Sequence, residues 1–331
     1  LPDPGDRVKR GRRMWDVTVV IPNFNGISYL DACLRTVSGQ TGISPEIIVV
    51  DNGSSDGSQD FIRNHYPDVR LICLEQNYGF CRAVNEGIAA AKSPYVILLN
   101  NDTEVKPDFA LHLLKAIRAD RRRFSCAARM LQYQNRELLD NAGDFYCALG
   151  WAYARGKGKP SSRYTAGQRI FSSCAGAAIY RKEDLERLGG FDDAHFAYLE
   201  DMDLSYRARI HGFYHWYVPE AEVYHVGSAT SGSRHNRFKV LHSAGNNVYL
   251  IYKNMPILQV ILNLPFLCAG FLVKYLYFVK KGFGKDYREG LKRGIALCRE
   301  HPDRKIRFRT ENLPHYVRIQ LDLWKNMLLL G

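Results

Sequence analysis

The chain has 331 residues, of which 46% are apolar, and a formal net charge of +12. This length and apolar content are typical of a globular, enzyme-sized protein and exclude an intrinsically disordered chain. The eight cysteines stand singly, without a CxxC pair or a cysteine–histidine cluster at zinc-ligand spacing. This spacing favours a reduced, cytoplasmic setting over a disulfide framework or a zinc site.

The positive charge lies on the two flanks of the chain. Residues 1–14 carry five basic and two acidic residues, a net +3, and residues 253–331 carry fifteen and six, a net +9, whereas residues 15–252 carry 26 of each. Because the C-terminal basic residues share their segment with a long apolar run, the pattern favours an anionic membrane surface as partner over nucleic acid. The apolar run after the N-terminal basic stretch is too short for an export signal. We therefore expect a cytoplasmic protein attached peripherally to the inner face of the cell membrane.

Four short apolar runs alternate with helix-length segments in the first hundred residues. Polar residues bound each run, as expected of buried strands, and Ser54-Ser55-Asp56 supplies N-cap chemistry to the second helix. This alternation predicts an α/β fold with a doubly wound, Rossmann-like, mostly parallel sheet. The predicted strands are residues 17–21, 46–50, 69–73 and 95–99, and the predicted helices are residues 27–39, 57–66 and 80–91.

Polar residues follow three of these strands at the point where each strand ends. The first strand is followed by Pro22-Asn23-Phe24-Asn25, the second by Asp51-Asn52-Gly53 and the fourth by Asn100-Asn101-Asp102. Ligands of doubly wound sheets bind at the carboxyl ends of the strands. We therefore expect these three strand ends to line one pocket.

Three polar side chains near these ends have two interpretations each. Asp51 can accept a hydrogen bond from the imide N–H of uracil or thymine, or it can cap its own loop. Asp102 can give one hard oxygen ligand to Mg²⁺ or Mn²⁺, or it can belong to an ordinary turn. His225, at the end of a strand-like segment, is either structural or a metal ligand.

Two further groups carry candidate chemistry. Glu200, Asp201 and Asp203 cluster at the start of a predicted helix, where acidic residues either cap the helix or act as a general base. Before the third helix, Gly79 would let the backbone approach a phosphate, and Arg82 either pairs with that phosphate or is solvated.

The rest of the chain gives weaker signals. Residues 131–170 lack clear periodicity, which indicates loops over the active face. Residues 182–188 and 200–211 are predicted helices that end at glycines suited to a C-cap. Residues 256–279 form an apolar, aromatic-rich segment that is broken by polar residues and followed by lysines. Its length permits a membrane span, but the polar breaks favour a helix lying at the membrane interface.

Taken in chain order, these features resemble the inverting glycosyltransferases of family two, which have the GT-A fold, and particularly the rhamnosyltransferase-like members. The resemblance covers about residues 17–250. Each piece is unspecific, but the ordered set is specific. The residues that carry it are Val19-Val20-Ile21-Pro22-Asn23-Phe24-Asn25, Val49-Val50-Asp51-Asn52-Gly53-Ser54-Ser55-Asp56-Gly57-Ser58, Asn77-Tyr78-Gly79-Phe80, Asn85-Glu86-Gly87, Leu98-Leu99-Asn100-Asn101-Asp102 and Glu200-Asp201-Met202-Asp203-Leu204.

The resemblance implies catalytic and metal-binding roles. Asp201 would be the catalytic base of an ED motif, with Glu200 beside it. Asp102 would be the last residue of a DXD motif, which here reads Asn100-Asn101-Asp102. It would bind Mg²⁺ or Mn²⁺ on the diphosphate, and His225 would complete the metal site.

The resemblance also implies a donor-binding set. Pro22 and Phe24 would neighbour the nucleobase, Asp51 would accept its hydrogen bond, and Arg82 would contact the donor. The full implied set is Pro22, Phe24, Asn25, Asp51, Gly79, Arg82, Asn100, Asn101 and Asp102.

The implied reaction is inverting transfer of a single sugar, with rhamnose as one candidate, from a UDP- or dTDP-linked donor. The implied acceptor is a hydroxyl of a lipid-linked glycan or cell-surface polysaccharide precursor. The sequence lacks the QxxRW signature of processive relatives, which favours single transfer over polymerisation. Two alternatives are an inactive nucleotide-sugar-binding scaffold and a nucleotidyltransferase, although the latter would be expected to have a Gly-rich basic loop after the first strand.

These features divide the chain into four predicted parts. Residues 1–14 form a basic tail, and residues 15–118 form the nucleotide-sugar-binding half of one domain. Residues 119–252 form its acceptor-binding and catalytic half. Residues 253–331 form a basic, apolar, helical extension that associates with the membrane.

Overall fold

The computed structural model of the protein describes residues 15–227 and 236–330. The predicted basic tail, residues 1–14, lies outside the described residues. Within the described ranges the chain forms twelve strands and ten α-helices.

The first hundred residues form the predicted alternation of strands and helices. Each predicted element is found, with its ends shifted by at most two residues, because each apolar run or amphipathic segment is bounded by local turn residues. The elements are β1 (Thr18–Asn23), α1 (Ile27–Ser38), β2 (Glu46–Asp51), α2 (Ser58–His65), β3 (Arg70–Cys73), α3 (Phe80–Ala90) and β4 (Tyr95–Leu99).

The second half of the domain contains the two longest described strands, and four short strands interrupt the segment that we predicted as loops. Residues 131–170 contain the end of β6 and four strands of three or four residues, which are too short to show periodicity in the sequence. The elements are β5 (Thr103–Val105), α4 (Phe109–Arg118), β6 (Arg123–Gln132), β7 (Leu139–Asn141), β8 (Asp144–Cys147), β9 (Trp151–Ala154), β10 (Gln168–Ile170), β11 (Ala177–Arg181), α5 (Lys182–Arg187), α6 (Glu200–Ile210) and β12 (Tyr214–His225).

One mixed sheet organises these elements. Its strand order is β10-β12-β6-β11-β4-β1-β2-β3, with β5 paired to β12 and β7 paired to β6. Strands β4, β1, β2 and β3 are parallel, β11 is antiparallel between β4 and β6, and β12 is parallel to β6. The reversal at β11 brings its first residues beside the carboxyl end of β4, where the polar strand ends also lie.

Both faces of the sheet are covered by helices, as expected of a doubly wound fold. Because side chains alternate along a strand, Val19 and Ile21 face a core formed with α1, α2 and α4, whereas Val20 faces a core formed with α3, α5 and α6. All three side chains are fully buried. The helices therefore fix the sheet from both sides and leave its carboxyl edge open.

Four helices follow β12: α7 (Arg237–Asn254), α8 (Ile257–Lys280), α9 (Gly284–Glu300) and α10 (Leu313–Met327). One side of α8 docks on the domain. Trp151 Nε1 donates to the carbonyl of Gly270 at 3.0 Å, and α8 also packs on α10, where the amides of Asn263 and Gln320 exchange two hydrogen bonds of 2.8 Å. Among the residues that the structure describes, α8 is the one helix that is long and apolar enough to cross a membrane.

The packing of α3 on the sheet gives a stability prediction. A Cβ at Gly87 would overlap Val20 Cγ1, which lies in a fully buried strand. Gly87→Val should destabilise the protein by about 1–3 kcal/mol through overpacking, measured by urea denaturation. The matched change Ala89→Val, on the exposed side of the same helix, should cost less than about 1 kcal/mol. Equal losses in the two variants would contradict this packing.

Candidate functional site

A cavity of about 700 Å³ lies at the carboxyl ends of the parallel strands. It brings together most of the residues that the sequence singled out, from both halves of the sheet. The predicted site residues in its lining are Pro22, Phe24, Gly79, Asn100, Asn101, Asp102, Glu200, Asp201 and His225. Asn25, Asp51 and Arg82 lie outside this lining.

The floor of the cavity is a chain of hydrogen bonds that joins three strand ends. Asn101 Nδ2 donates to Asn23 Oδ1 at 2.7 Å, and Asn23 Nδ2 donates to Asp51 Oδ2 at 2.8 Å. Asp51 is fully buried, and its Oδ1 also accepts from Ser54 N at 3.0 Å and Gln59 Nε2 at 2.8 Å. Asp51 therefore orders the floor, and its contact with a nucleobase stays a prediction.

Asn25 and Arg82 lie at the margin of the cavity. Asn25 has a positive φ of 48°, and its Oδ1 accepts from Ser55 N at 2.9 Å, so it shapes the turn after β1. The half-exposed Arg82 pairs with Glu86 at 2.7 Å and approaches Asp193 at 3.8 Å. Their predicted contacts with the donor remain predictions.

Gly79 is required by a close backbone contact. Its φ is 88°, and a Cβ there would lie 2.6 Å from the carbonyl oxygen of Phe196. The N–H of Cys81 donates to the same carbonyl at 3.3 Å. The glycine therefore lets the start of α3 touch the segment that leads into α6, on the wall of the cavity.

Asp102 and His225 are in contact with each other in the cavity wall. His225 Nε2 lies 3.3 Å from Asp102 Oδ1, and His225 Nδ1 lies 2.7 Å from Asp140 Oδ2. Lys157 Nζ in turn lies 2.6 Å from Asp140 Oδ1. Burial lowers the pKa of His225, but the hydrogen bonds and charges of the two carboxylates raise this pKa to about 9.

This pair can hold a divalent cation in place of the proton that the two carboxylates keep on His225, because a histidine ligand must be deprotonated. Two neighbouring ligand atoms about 2.1 Å from one octahedral ion are separated by about 3 Å, close to the 3.3 Å between Asp102 Oδ1 and His225 Nε2. A metal-bound histidine usually donates its other N–H to a carboxylate, and Asp140 occupies that place. We did not single out Asp140 from the sequence because it lies in the segment without periodicity.

Among the residues that the structure describes, two other groups of side chains place potential ligand atoms within 4.8 Å of one another. In the first, formed by Asp192, His195 and Asp203, the ammonium of Lys253 already contacts both carboxylates. The second consists of Asp144, Cys174 and Asp201. Burial raises the pKa of the Cys174 thiol well above its ordinary value, and a neutral sulfur is a poor ligand for Mg²⁺ or Mn²⁺.

Glu200 and Asp201 begin α6 on the cavity wall. Asp201 Oδ1 accepts from Met202 N at 2.7 Å, while Glu200 Oε2 is buried without a hydrogen-bond partner among the described residues. Burial raises the pKa of both carboxyls above their ordinary values, and the charge of Asp201 raises the pKa of Glu200 further. Asp201 therefore loses its proton before Glu200 as the pH rises, and its carboxylate can then accept a proton.

Asp203, the third acid of the cluster, points away from the cavity. Its Oδ2 contacts Lys253 Nζ at 2.9 Å and Arg207 Nε at 3.0 Å, and Lys253 also contacts Asp192 Oδ2 at 2.6 Å. Arg304 pairs with Asp192 as well. Asp203 is thus structural, and this buried network ties α6 to α7 and to the chain after α9.

Comparison with known proteins places the chain among enzymes of sugar transfer. Residues 18–189 match the model of glycosyl transferase family 2. The chain is similar to N-acetylglucosaminyl-diphospho-decaprenol L-rhamnosyltransferase of Mycobacterium tuberculosis, at 28% identity over 259 residues, which cover 70% of this chain and 83% of that protein. A shorter match, at 34% identity over 94 residues, joins 28% of the chain to 27% of succinoglycan biosynthesis protein ExoO of Rhizobium meliloti.

Solved structures share the fold. GalNAc-T7 with UDP, GalNAc and Mn²⁺ superposes with a TM-score of 0.59 at 19% identity, over 72% of this chain and 48% of that one. The mannosyltransferase PcManGT from Pyrobaculum calidifontis, in complex with GDP-Man and Mn²⁺, gives 0.52 at 16% identity, over 88% and 87% of the two chains. These likenesses show the predicted GT-A fold.

The buried network gives a pH-dependent prediction. Burial raises the pKa of Asp192, but Lys253 outweighs this effect and lowers that pKa to about 2 from an ordinary value of 3.8. Because the folded-state value is the lower one, this stabilisation is complete above about pH 4 and is lost as the pH falls towards 2. Lys253→Met should destabilise the protein by about 3–5 kcal/mol at pH 7, and the deficit should shrink at pH 3.

Urea denaturation at the two pH values measures both effects. Lys292→Met, which removes an exposed lysine of α9, is the matched control and should change stability by less than about 0.5 kcal/mol. A Lys253→Met deficit that is small, or that is the same at pH 7 and pH 3, would contradict the ionic role of Lys253.

Proposed function

Because the chain belongs to glycosyl transferase family 2, we propose that it transfers one sugar, with inversion, from a nucleoside-diphosphate donor to a hydroxyl of a lipid-linked glycan or cell-surface polysaccharide precursor. The observation that carries this proposal is that Asp201 and the Asp102–His225 pair line the same cavity. A general base and a cation site in one cavity are what a single displacement of a diphosphate requires. Family membership also favours sugar transfer over the nucleotidyltransferase alternative.

In the proposed reaction the Asp201 carboxylate takes the proton of the acceptor hydroxyl as its oxygen attacks the anomeric carbon. The bond from that carbon to the diphosphate oxygen breaks, and its electron pair leaves with the diphosphate. One displacement inverts the anomeric centre, so no protein nucleophile is needed. Asp102 and His225 would hold Mg²⁺ or Mn²⁺, which when bound neutralises charge on the diphosphate.

The proposed donor lies along the strand ends. Pro22 and Phe24 would contact the nucleobase, and Asn100 and Asn101 would contact the rest of the nucleotide. Asp51, which lies beneath the floor of the cavity, would support the site through Asn23. We propose a UDP- or dTDP-linked sugar. Rhamnose is the first sugar to test because the Mycobacterium tuberculosis relative is an L-rhamnosyltransferase.

We also propose that the protein lies on the cytoplasmic face of the cell membrane through α8 and α10. Apolar side chains on both helices are exposed, among them Leu258 (73%), Leu321 (57%) and Trp324 (36%). Lys280 and Lys281 follow at the end of α8, where they can meet anionic headgroups. Since one side of α8 docks on the domain, these contacts support a helix that lies in the interface rather than one that spans the bilayer.

Replacing the proposed base tests the function. Asp201→Asn should lower the rate of sugar transfer, or of slow donor hydrolysis, by about 10²–10⁴-fold, since the variant cannot accept a proton. Nucleotide binding should be unchanged. Because burial raises the pKa of Asp201, the wild-type rate should rise with pH above the ordinary titration range of an aspartate, and the residual rate of the variant should lack this rise.

Released diphosphate, measured across a panel of nucleotide sugars with Mg²⁺ or Mn²⁺, gives these rates. Asp108→Asn, which changes an exposed aspartate outside the cavity lining, serves as the control and should keep wild-type activity. Wild-type turnover in Asp201→Asn would exclude Asp201 as the base.

The membrane proposal is tested on the intact chain. Leu258→Asp combined with Leu321→Asp should reduce co-sedimentation with phosphatidylglycerol-containing vesicles by more than about tenfold, because each exposed leucine contributes about 1.5–3 kcal/mol when buried in lipid. Ile295→Asp, an exposed apolar position on α9 (47%), is the control and should bind as the wild type does. Undiminished binding of the double variant would refute the role of this surface.

A further inference from the structure

The four residues before Glu200 and Asp201 form a turn with an unusual backbone, residues 196–199. Phe196, Tyr198 and Leu199 have φ values of 62°, 71° and 65°. Among the described non-glycine residues, Asn25 is the one other position with a positive φ. Such conformations are strained and persist only where surrounding contacts impose them. The orientation of the two carboxylates therefore depends on what holds this turn.

A buried amide from α7 binds the turn at several points. Asn246 Nδ2 lies 2.9 Å from the carbonyl oxygen of His195, 2.8 Å from that of Ala197 and 2.7 Å from that of Tyr198. Asn246 is fully buried. Because an amide nitrogen has two hydrogens, the three carbonyls share them, and all three must point towards α7.

The orientation of this amide is set by Arg293 of α9. Arg293 Nη1 donates to Asn246 Oδ1 at 2.8 Å, and its Nη2 donates to the carbonyl of Ala194 at 3.3 Å. If the amide were rotated by 180°, its oxygen would face three carbonyl oxygens and its NH₂ group would face a guanidinium. Arg293 therefore selects the rotamer in which the NH₂ group meets the turn.

Helices α7 and α9 approach each other so closely that their backbones are in contact, and this packing brings Arg293 next to Asn246. A Cβ at Gly245 of α7 would lie 2.8 Å from the carbonyl oxygen of Gly290, and a Cβ at Gly294 would lie 2.5 Å from the carbonyl oxygen of Gly245. Side chains at these positions would push α9 away from α7. These glycine contacts thus fix the position of α9 along α7, beside Asn246.

We infer that Asn246 and Arg293 are positioning residues, which hold the turn at residues 196–199 and thereby the carboxylates of Glu200 and Asp201 against the cavity. This inference rests on the proposed role of Asp201 as the base. Arg293 lies in the C-terminal helices, outside the residues matched by the family model. The C-terminal segment therefore contributes to the geometry of sugar transfer as well as to the apolar surface.

The test uses the full chain with Arg293→Met and Asn246→Ala in the donor-hydrolysis assay. Both variants should lower kcat at least tenfold, while the KM for the donor changes less than threefold, because the donor-binding strand ends do not touch either residue. Hydrogen exchange should accelerate in the amides of residues 195–201. Arg288→Met, which removes an exposed arginine of the same helix, should change none of these quantities.

Arg293→Lys keeps the charge but not the fork of donors, so its kcat should lie between those of the wild type and Arg293→Met. If Arg293→Met does not fold, wild-type kcat in Arg293→Lys and Asn246→Ala overturns the inference. The inference also fails if kcat and donor KM deteriorate together in proportion to a lower melting temperature. Absence of turnover in the wild-type protein would instead count against the proposed function, and the exchange comparison would still test whether the two residues hold the turn.

Discussion

The pairing of β5 with β12 is the constraint on which the site depends. It sets Thr103 opposite His225, and the N–H of Val226 donates to the carbonyl of Asp102 at 3.0 Å. Backbone hydrogen bonds therefore fix the distance between the Asp102 carboxylate and the His225 imidazole, which are 123 positions apart by their residue numbers. The proposed cation site is a consequence of sheet register, with Asp140 and Lys157 orienting the ring from behind.

The opposite wall of the cavity is built by a different kind of constraint. Helix α6 carries Asp201 towards the cavity and Asp203 into the buried ion network, since residues two apart lie on nearly opposite sides of a helix. Within this short acidic cluster the pKa of Asp201 is therefore raised and the pKa of Asp203 is lowered. Burial without a cation produces the first shift, and Lys253 and Arg207 outweigh burial in the second.

Much of this arrangement could be predicted from the sequence because its signals are local. The strands and helices of the first hundred residues are each defined by their own apolar run and turn residues, and the polar strand ends Asn100-Asn101-Asp102 and Pro22-Asn23-Phe24 meet as the parallel sheet requires. The parts that we did not predict depend on distant contacts. Asp140 and Asn246 are ordinary polar residues in sequence, and only tertiary packing brings them to His225 and to the turn before α6.

The residues outside the cavity lining also show the limit of prediction from sequence. Asp51 and Arg82 match the family pattern, but in the structure Asp51 supports the floor through Asn23 and Arg82 pairs with Glu86. A motif identifies which residues lie near a site, whereas burial and hydrogen bonding decide which of their atoms face it.

Isothermal titration calorimetry of UDP and dTDP in the presence and absence of Mn²⁺ tests the central claim most directly, that a cation held by Asp102 and His225 anchors a nucleoside diphosphate in this cavity. The account predicts that the wild-type protein binds at least one of the two nucleotides and that Mn²⁺ strengthens this binding. It also predicts that Asp102→Ala abolishes the Mn²⁺ effect. Failure of both nucleotides to bind with Mn²⁺ in excess, or an undiminished Mn²⁺ effect in Asp102→Ala, would contradict it.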